Sequence, residues 1–147
     1  MKVLITGGSG FIGTNVVDYY LGKGWEVRNV DLHVPKHDEA KACWVQCDIT
    51  DKDALLTAVQ DFQPDYIIHL AARTDLDGKT ADDYQANTVG VENILKVAAK
   101  LDGLKKILIT SSMLVCHTGY QPQNQFDYSP TTRYGESKVT TERLVWQ

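Results

Sequence analysis

Cysteine is scarce in this chain: Cys43, Cys47 and Cys116 are the only three in 147 residues. An odd number without C-x-x-C spacing speaks against a disulfide framework. No histidine or third cysteine sits at ligand spacing beside Cys43 and Cys47, so they read as small residues on or beside a strand and not as metal ligands. His33, His37, His69 and His117 are scattered in the same way, and no metal site is expected. Basic runs are missing too; fifteen Lys and Arg against nineteen Asp and Glu leave a net charge of −4, which argues against a nucleic-acid partner. No apolar stretch approaches the length that spans a bilayer. Glycines interrupt the N-terminal apolar stretch after Ile5, so it lacks the core of a signal peptide. The expectation is a cytoplasmic protein with neither membrane nor nucleic acid among its partners. Repeats and low-complexity tracts are absent as well. What is there, 43% hydrophobic and 23% charged residues, suits a single soluble domain over 1–147 with a real core, and is too short for two ordinary ones.

The chain is organised around its opening, Val3-Leu4-Ile5-Thr6-Gly7-Gly8-Ser9-Gly10-Phe11-Ile12-Gly13. Apolar residues of strand character run into a glycine-rich turn, and Phe11, Val16, Val17 and Tyr20 follow at helical spacing. Backbone N–H groups in the first turn of a helix lack intrahelical partners and sit at the positive end of the helix dipole, so an anion is held there. Glycine lets that anion approach the backbone. Gly8, Gly10 and Gly13 fit G-x-G-x-x-G, and Gly7, Gly10 and Gly13 fit the wider G-x-x-G-x-x-G; spacing does not choose between them. The run Trp25 to Asp31 reads as a second strand ending in an acid. Asp31 lies eighteen positions after Gly13, close to the spacing at which an acid receives the ribose hydroxyls of NAD.

Residues 32–40 are polar with no clear period and predict a crossover holding at most a short helix. Trp44 to Asp48 reads as a third strand. Thr50 or Asp51 then caps a helix with Ala54, Leu55, Ala58, Val59 and Phe62 on one face. Asp65 to Ala72 is a nearly continuous apolar run, the mark of a strand buried on both faces of a parallel sheet. A long helix is predicted from Thr80 or Ala81 to Leu101. Its two apolar stripes, through Tyr84, Thr88, Val91, Leu95 and Ala98 and through Asn87, Val91, Ile94, Ala98 and Leu101, mean either a broad core face or burial against a second surface. Lys105 to Ser111 is the fifth strand, left as an exposed edge that invites self-association. Met113 to Pro130 is a long polar loop of the kind that is usually functional or mobile. Thr131 to Gln147 reads as a last helix with Tyr134 and Lys138 on one face. The order is that of an α/β, doubly wound parallel sheet with right-handed crossovers. In such sheets ligands bind beyond the carboxyl ends of the strands, where Gly7 to Gly13, Asp31, Asp48, Ala71 to Arg73, Ser111 and Ser112 all fall.

A tyrosine can carry the proton of an alcohol that becomes a ketone, but its phenol ordinarily titrates near pH 10, about three units above neutrality. A cation one helical turn away, here Lys138, favours the phenolate. A hydroxyl such as Ser112 can hydrogen-bond the same substrate oxygen.

Together these motifs resemble the N-terminal portion of an extended short-chain dehydrogenase/reductase of the NAD-dependent epimerase/dehydratase family, which acts on nucleotide sugars. They are Thr6 to Gly13, Asp31, Asp48-Ile49, His69-Leu70-Ala71-Ala72, Asn87 with Gly90, Ser111-Ser112, and Pro130 ahead of Tyr134-Gly135-Glu136-Ser137-Lys138. The resemblance covers the whole chain in the family's order. It implies a Rossmann-type domain, cut off after the Tyr-Lys helix, with NAD as cofactor. Gly7, Gly10 and Gly13 would hold the pyrophosphate in the wider spacing, with Phe11 and Ile12 at the helix start. Asp31 would bind the adenosine ribose, and Asp48 with Ile49 the adenine. Leu70, Ala71, Ala72, Arg73, Asn87 and Ser111 would line the rest of the cofactor. Tyr134 would be the acid/base, Lys138 its partner and a ribose ligand, and Ser112 the substrate-oxygen hydroxyl. A nucleotide sugar is the implied substrate of the intact protein, and a homodimer through the 81–101 and 131–146 helices the implied assembly. Such a dimer would account for the extra apolar stripe. Two departures matter: Met113-Leu114 stand where family dehydratases carry an Asp-Glu pair, and relatives run to about twice this length, with a substrate domain following. The implied activity is therefore a nucleotide-sugar epimerase, inactive as this chain alone. The alternatives are a reductase on a non-sugar carbonyl and a non-catalytic NAD-binding scaffold. Arg28 and Lys36, near the expected ribose region, keep NADP open.

Overall fold

The computed structural model describes residues 1–147. Five parallel strands form one sheet in the order β3-β2-β1-β4-β5. They are β1 (Lys2–Thr6), β2 (Glu26–Asp31), β3 (Trp44–Gln46), β4 (Tyr66–His69) and β5 (Lys106–Ile109). Helices α1 (Phe11–Gly22), α2 (Asp38–Lys41), α3 (Lys52–Gln60), α4 (Gln85–Ala98) and α5 (Arg133–Val145) connect and follow them. No helix is long and apolar enough to cross a membrane.

β1 is central, and its side chains alternate between two cores, as a two-residue period requires. Leu4 faces Leu55 and Val59 of α3 and Ile94 and Val97 of α4, along with Val30 and Ile67 from the neighbouring strands. Val3 and Ile5 face Val17 of α1 and Ala40 of α2. Leu55 and Ile94 are fully buried, and each such side chain stabilises the fold by about 1.5–3 kcal/mol. The register sets Thr6 opposite Val30 and His69, and His69 opposite Ile109. The chain therefore leaves β1, β2, β4 and β5 along one edge of the sheet.

Local chemistry places the ends. Asp51, not Thr50, caps α3, accepting from Asp53 N at 3.1 Å and Ala54 N at 3.0 Å. The crossover holds only the four-residue α2. The long helix departs from expectation at both ends. Its first turn, Asp82–Tyr84, is a 3-10 turn, because the Tyr84 hydroxyl is drawn back to donate to Asp75 O (2.9 Å) and accept from Gly78 N (3.2 Å). It stops at Ala98, three residues before Leu101. β5 is shorter than expected as well; Lys105 leaves the strand to pair with Asp65 at 2.8 Å, and the chain turns after Ile109. The 113–130 loop is built, with a 3-10 turn at Met113–Val115 and a bridge between Cys116 and Ser129. α4 does face a second surface, and it lies within the chain. Asn93 on one flank donates to the carbonyls of Ile49 and Thr50, while Asn87 on the other donates to Ser137 of α5 and accepts from Thr141. Part of the extra stripe is thus covered within the chain, while Thr88 and Leu95 stay partly exposed.

Candidate functional site

A cleft of about 850 Å³ opens along the carboxyl edge of the sheet, within the usual size of a ligand site. Its end wall is the glycine turn. Gly7 has φ +73°, a conformation that costs other residues dearly. A Cβ there would stand 2.6 Å from Ala71 N, and one on Gly13 would stand 2.0 Å from Gly7 O. Gly10 differs, since a Cβ on it meets only Gly7 O at 3.3 Å and otherwise open space. Gly7, Gly10 and Gly13 line the cleft and Gly8 does not, so the wider spacing is the one that faces it. No side chain caps α1, and its first turn carries no acid. The N–H groups of that turn are left for an anion, with a concavity that a side chain at Gly10 would fill. The residues present fit a dinucleotide pyrophosphate.

Beside the turn, the Asp31 carboxylate accepts from Ser9 N and His33 N, both at 2.9 Å, and braces the turn against the end of β2. Lys36 lines this end of the cleft. Arg28 does not; its guanidinium donates to Ala58 O and lies 4.8 Å over the Phe62 ring. Asp48 is held by Thr50, which donates to its carboxylate from N and Oγ1, and Ile49 is buried against Gly90. Cys47 also lines the cleft, and burial pushes its thiol up to about 11, so it is no nucleophile near neutral pH.

Leu70, Ala71, Ala72 and Arg73, leaving β4, form a further wall of the cleft. Ala71 N donates to Thr6 Oγ1 at 3.3 Å. Asn87 is fully buried and outside the lining; its amide accepts from Arg73 N (2.8 Å) and donates to Arg73 O (2.9 Å), so it sets the wall from behind.

α5 closes the cleft. Thr132 caps it by accepting from Gly135 N at 2.9 Å. Gly135 lets the helix press on the 113–115 turn, since a Cβ there would stand 2.2 Å from Leu114 O. Tyr134 and Lys138 both line the cleft, 9% and 3% exposed. The Lys138 ammonium donates to Thr110 O at 3.1 Å, and burial holds its pKa below the usual lysine value. His69, beneath, is pushed down to about 3 by burial, with the Lys138 charge adding to the effect. It is neutral, with Nδ1 2.7 Å from Thr6 Oγ1 and Nε2 unpartnered.

The two β5-end hydroxyls are chemically distinct. Ser111 lines the cleft and donates its proton to Glu142 Oε1, so only its lone pairs are free. Ser112 lies outside the lining and accepts from Leu114 N at 3.2 Å, which leaves its O–H free to donate. Glu142 and Asn93, which bind these surroundings together, carry no sequence signal beyond helical spacing from Lys138 and a polar residue on an apolar helix face.

A parallel doubly wound sheet whose uncapped glycine turn faces a tyrosine and a buried lysine across one cleft defines a Rossmann-type nucleotide-binding domain. The particular group follows from comparison: residues 3–147 match the NAD dependent epimerase/dehydratase family, and the chain belongs to it. A probable dTDP-glucose 4,6-dehydratase of Sinorhizobium fredii is 31% identical over all of this chain and 49% of its own length. A 3 beta-hydroxysteroid dehydrogenase/Delta 5-->4-isomerase of Mycobacterium tuberculosis is 35% identical over 98% of this chain and 42% of its own. The crystal structure of UDP-glucose 4-epimerase from Thermus thermophilus in complex with NAD superposes with a TM-score of 0.82 at 26% identity, over 99% of this chain and 50% of that one. The chain spans about half the length of the curated relatives it matches.

Proposed function

We propose that this chain is the N-terminal, NAD-binding part of a nucleotide-sugar epimerase. The observation that carries the reading is the convergence, on one cleft, of the glycine turn from the start of the sequence and Tyr134, Lys138 and Ser111 from its end. The first-turn N–H groups at Phe11, Ile12 and Gly13 hold the pyrophosphate, Asp31 the adenosine ribose, and Asp48 with Ile49 the adenine. When bound, the nicotinamide supplies the site that accepts and returns a hydride. Tyr134 takes the proton of a sugar hydroxyl and gives it back after the keto sugar has turned, and Lys138 lines the same cleft with its ammonium held on Thr110 O. Ser112, with its O–H free, donates to the substrate oxygen. Met113 is 92% exposed and offers no acid to expel water, which favours epimerisation over dehydration. The sugar nucleotide is recognised by residues beyond this chain, which is inactive alone. Two copies pair in the intact protein across the outer faces of α4 and α5, where Val89, Val145 and Trp146 are exposed.

Fluorescence titration with NADH tests the first step on this chain, and micromolar to millimolar binding is expected; none at millimolar NADH ends the reading. The intact protein should interconvert nucleotide-sugar epimers and not reduce simple ketones. A second reading, a dehydrogenase on a non-sugar alcohol, is favoured by the 35% identity to the steroid dehydrogenase, and the reverse outcome would support it.

A further inference from the structure

Glu142 stands outside the set just assigned, yet three separate segments meet at its carboxylate. Oε1 accepts the hydroxyl proton of Ser111, at the end of β5 and on the cleft wall. Oε2 accepts that of Tyr128, in the 113–130 loop, at 2.9 Å. Glu142 itself is half-buried on α5, one turn beyond Lys138. A carboxylate accepts only, so both hydroxyls must donate to it, and both bonds are of the stronger, charge-assisted kind.

We infer that Glu142 is a positioning residue that clamps the 113–130 loop to α5 and turns Ser111 so that it meets the cleft as an acceptor only. Ser111 then receives donors such as an amide or a ribose hydroxyl, while Ser112, one residue on, keeps a proton to give. The carboxylate thereby divides two adjacent and chemically identical side chains between two jobs. The Tyr128 phenol carries the trace of the clamp: burial raises its pKa, the bond to Glu142 raises it further, and Arg143, 5.8 Å over the ring, opposes the rise. Cys116 is the remaining titratable group acting on it.

NMR titration of the tyrosine ring carbons in the 147-residue chain tests the clamp, with Tyr128→Phe identifying the resonance. Glu142→Gln keeps the size and removes the charge. The Tyr128 phenol is expected to titrate lower by about half a pH unit or more; an unmoved titration overturns the inference. If that variant does not fold, Glu142→Asp serves, its shorter carboxylate reaching one hydroxyl and not both, with a smaller shift in the same direction. The second arm rests on the cleft binding NAD. Glu142→Gln and Ser111→Ala should each weaken NADH about fivefold, and the double variant no more than either alone. Additive losses would show that Glu142 does not act through Ser111. Absence of NADH binding by the unmodified chain would sink the cofactor reading, and the phenol titration would still decide the clamp.

Discussion

Gly10 and Gly13 sit three residues apart in the same turn, yet alanine should act on them by different routes. At Gly13 the added carbon would stand 2.0 Å from Gly7 O and 2.6 Å from Gly8 Cα. Both are backbone atoms, so no side chain can move aside, and the turn or the start of α1 has to shift. The cost is at least at the upper end of ordinary overpacking, about 3 kcal/mol, or a melting temperature lower by roughly 10 °C for a domain of this size. At Gly10 the carbon meets only Gly7 O at 3.3 Å, and the backbone, φ −76° and ψ −179°, suits any residue. Losing glycine at this N-cap costs about 1 kcal/mol or less, roughly 3 °C. Its methyl group, however, would stand in otherwise open space on a residue that lines the cleft. Gly10→Ala should therefore keep its fold and lose NADH binding by at least about a hundredfold, whereas Gly13→Ala loses both. Thermal melts followed by circular dichroism, paired with NADH fluorescence titrations, separate the two. A Gly10→Ala variant that binds NADH as tightly as the parent would refute the pyrophosphate assignment, and a Gly13→Ala variant that melts with the parent would refute the steric argument.

Asp31→Asn keeps one acceptor for the two backbone donors and removes the charge; NADH affinity should fall about tenfold and the preference for NADH over NADPH should narrow, by titration with each. His69 binds a proton in the unfolded chain below about pH 6.5 and in the folded one only near pH 3. Its contribution to stability is thus complete above the unfolded value and is lost as the pH falls through the window between them. Urea unfolding from pH 6 to pH 4.5 should show a slope approaching 1.4 kcal/mol per pH unit from this residue, flattened in His69→Asn; equal slopes in both would contradict it. Thr141→Val removes a buried donor to Asn87 O and should cost about 1–2 kcal/mol, read from the same unfolding curves.

Much of the fold was legible because its physical demands are local. An apolar strand, a glycine-rich turn and a periodic helix identify β1 and α1, and the Thr50-Asp51 pair announces the start of α3. The cleft was legible because strand ends in a parallel sheet share one edge. What escaped was decided by partners distant in sequence. Arg28 reads as a cation near the ribose, and only the packing of Phe62 and the carbonyl of Ala58 turn it away. The 3-10 start of the long helix depends on one tyrosine hydroxyl reaching back to Asp75 and Gly78. The packing of α4 on α5 runs through Asn87, Ser137 and Thr141, polar side chains whose partners lie some fifty residues away. The difference between Ser111 and Ser112 lies in what each is bonded to, which adjacency in the chain cannot convey.

Of the five strands, the one synthesised first ends in the middle. β1 acquires β2 along one flank once residues 26–30 are made, and its other flank waits for residues 66–69. On the ribosome, the most deeply buried strand of the protein therefore stays bare along one side while the next two helices are translated, an interval in which a chaperone has something to hold. The lysine and tyrosine that complete the cleft arrive after all five strands. Nucleotide can reward only the finished fold, so it acts as a late latch on the domain and gives no help at the start.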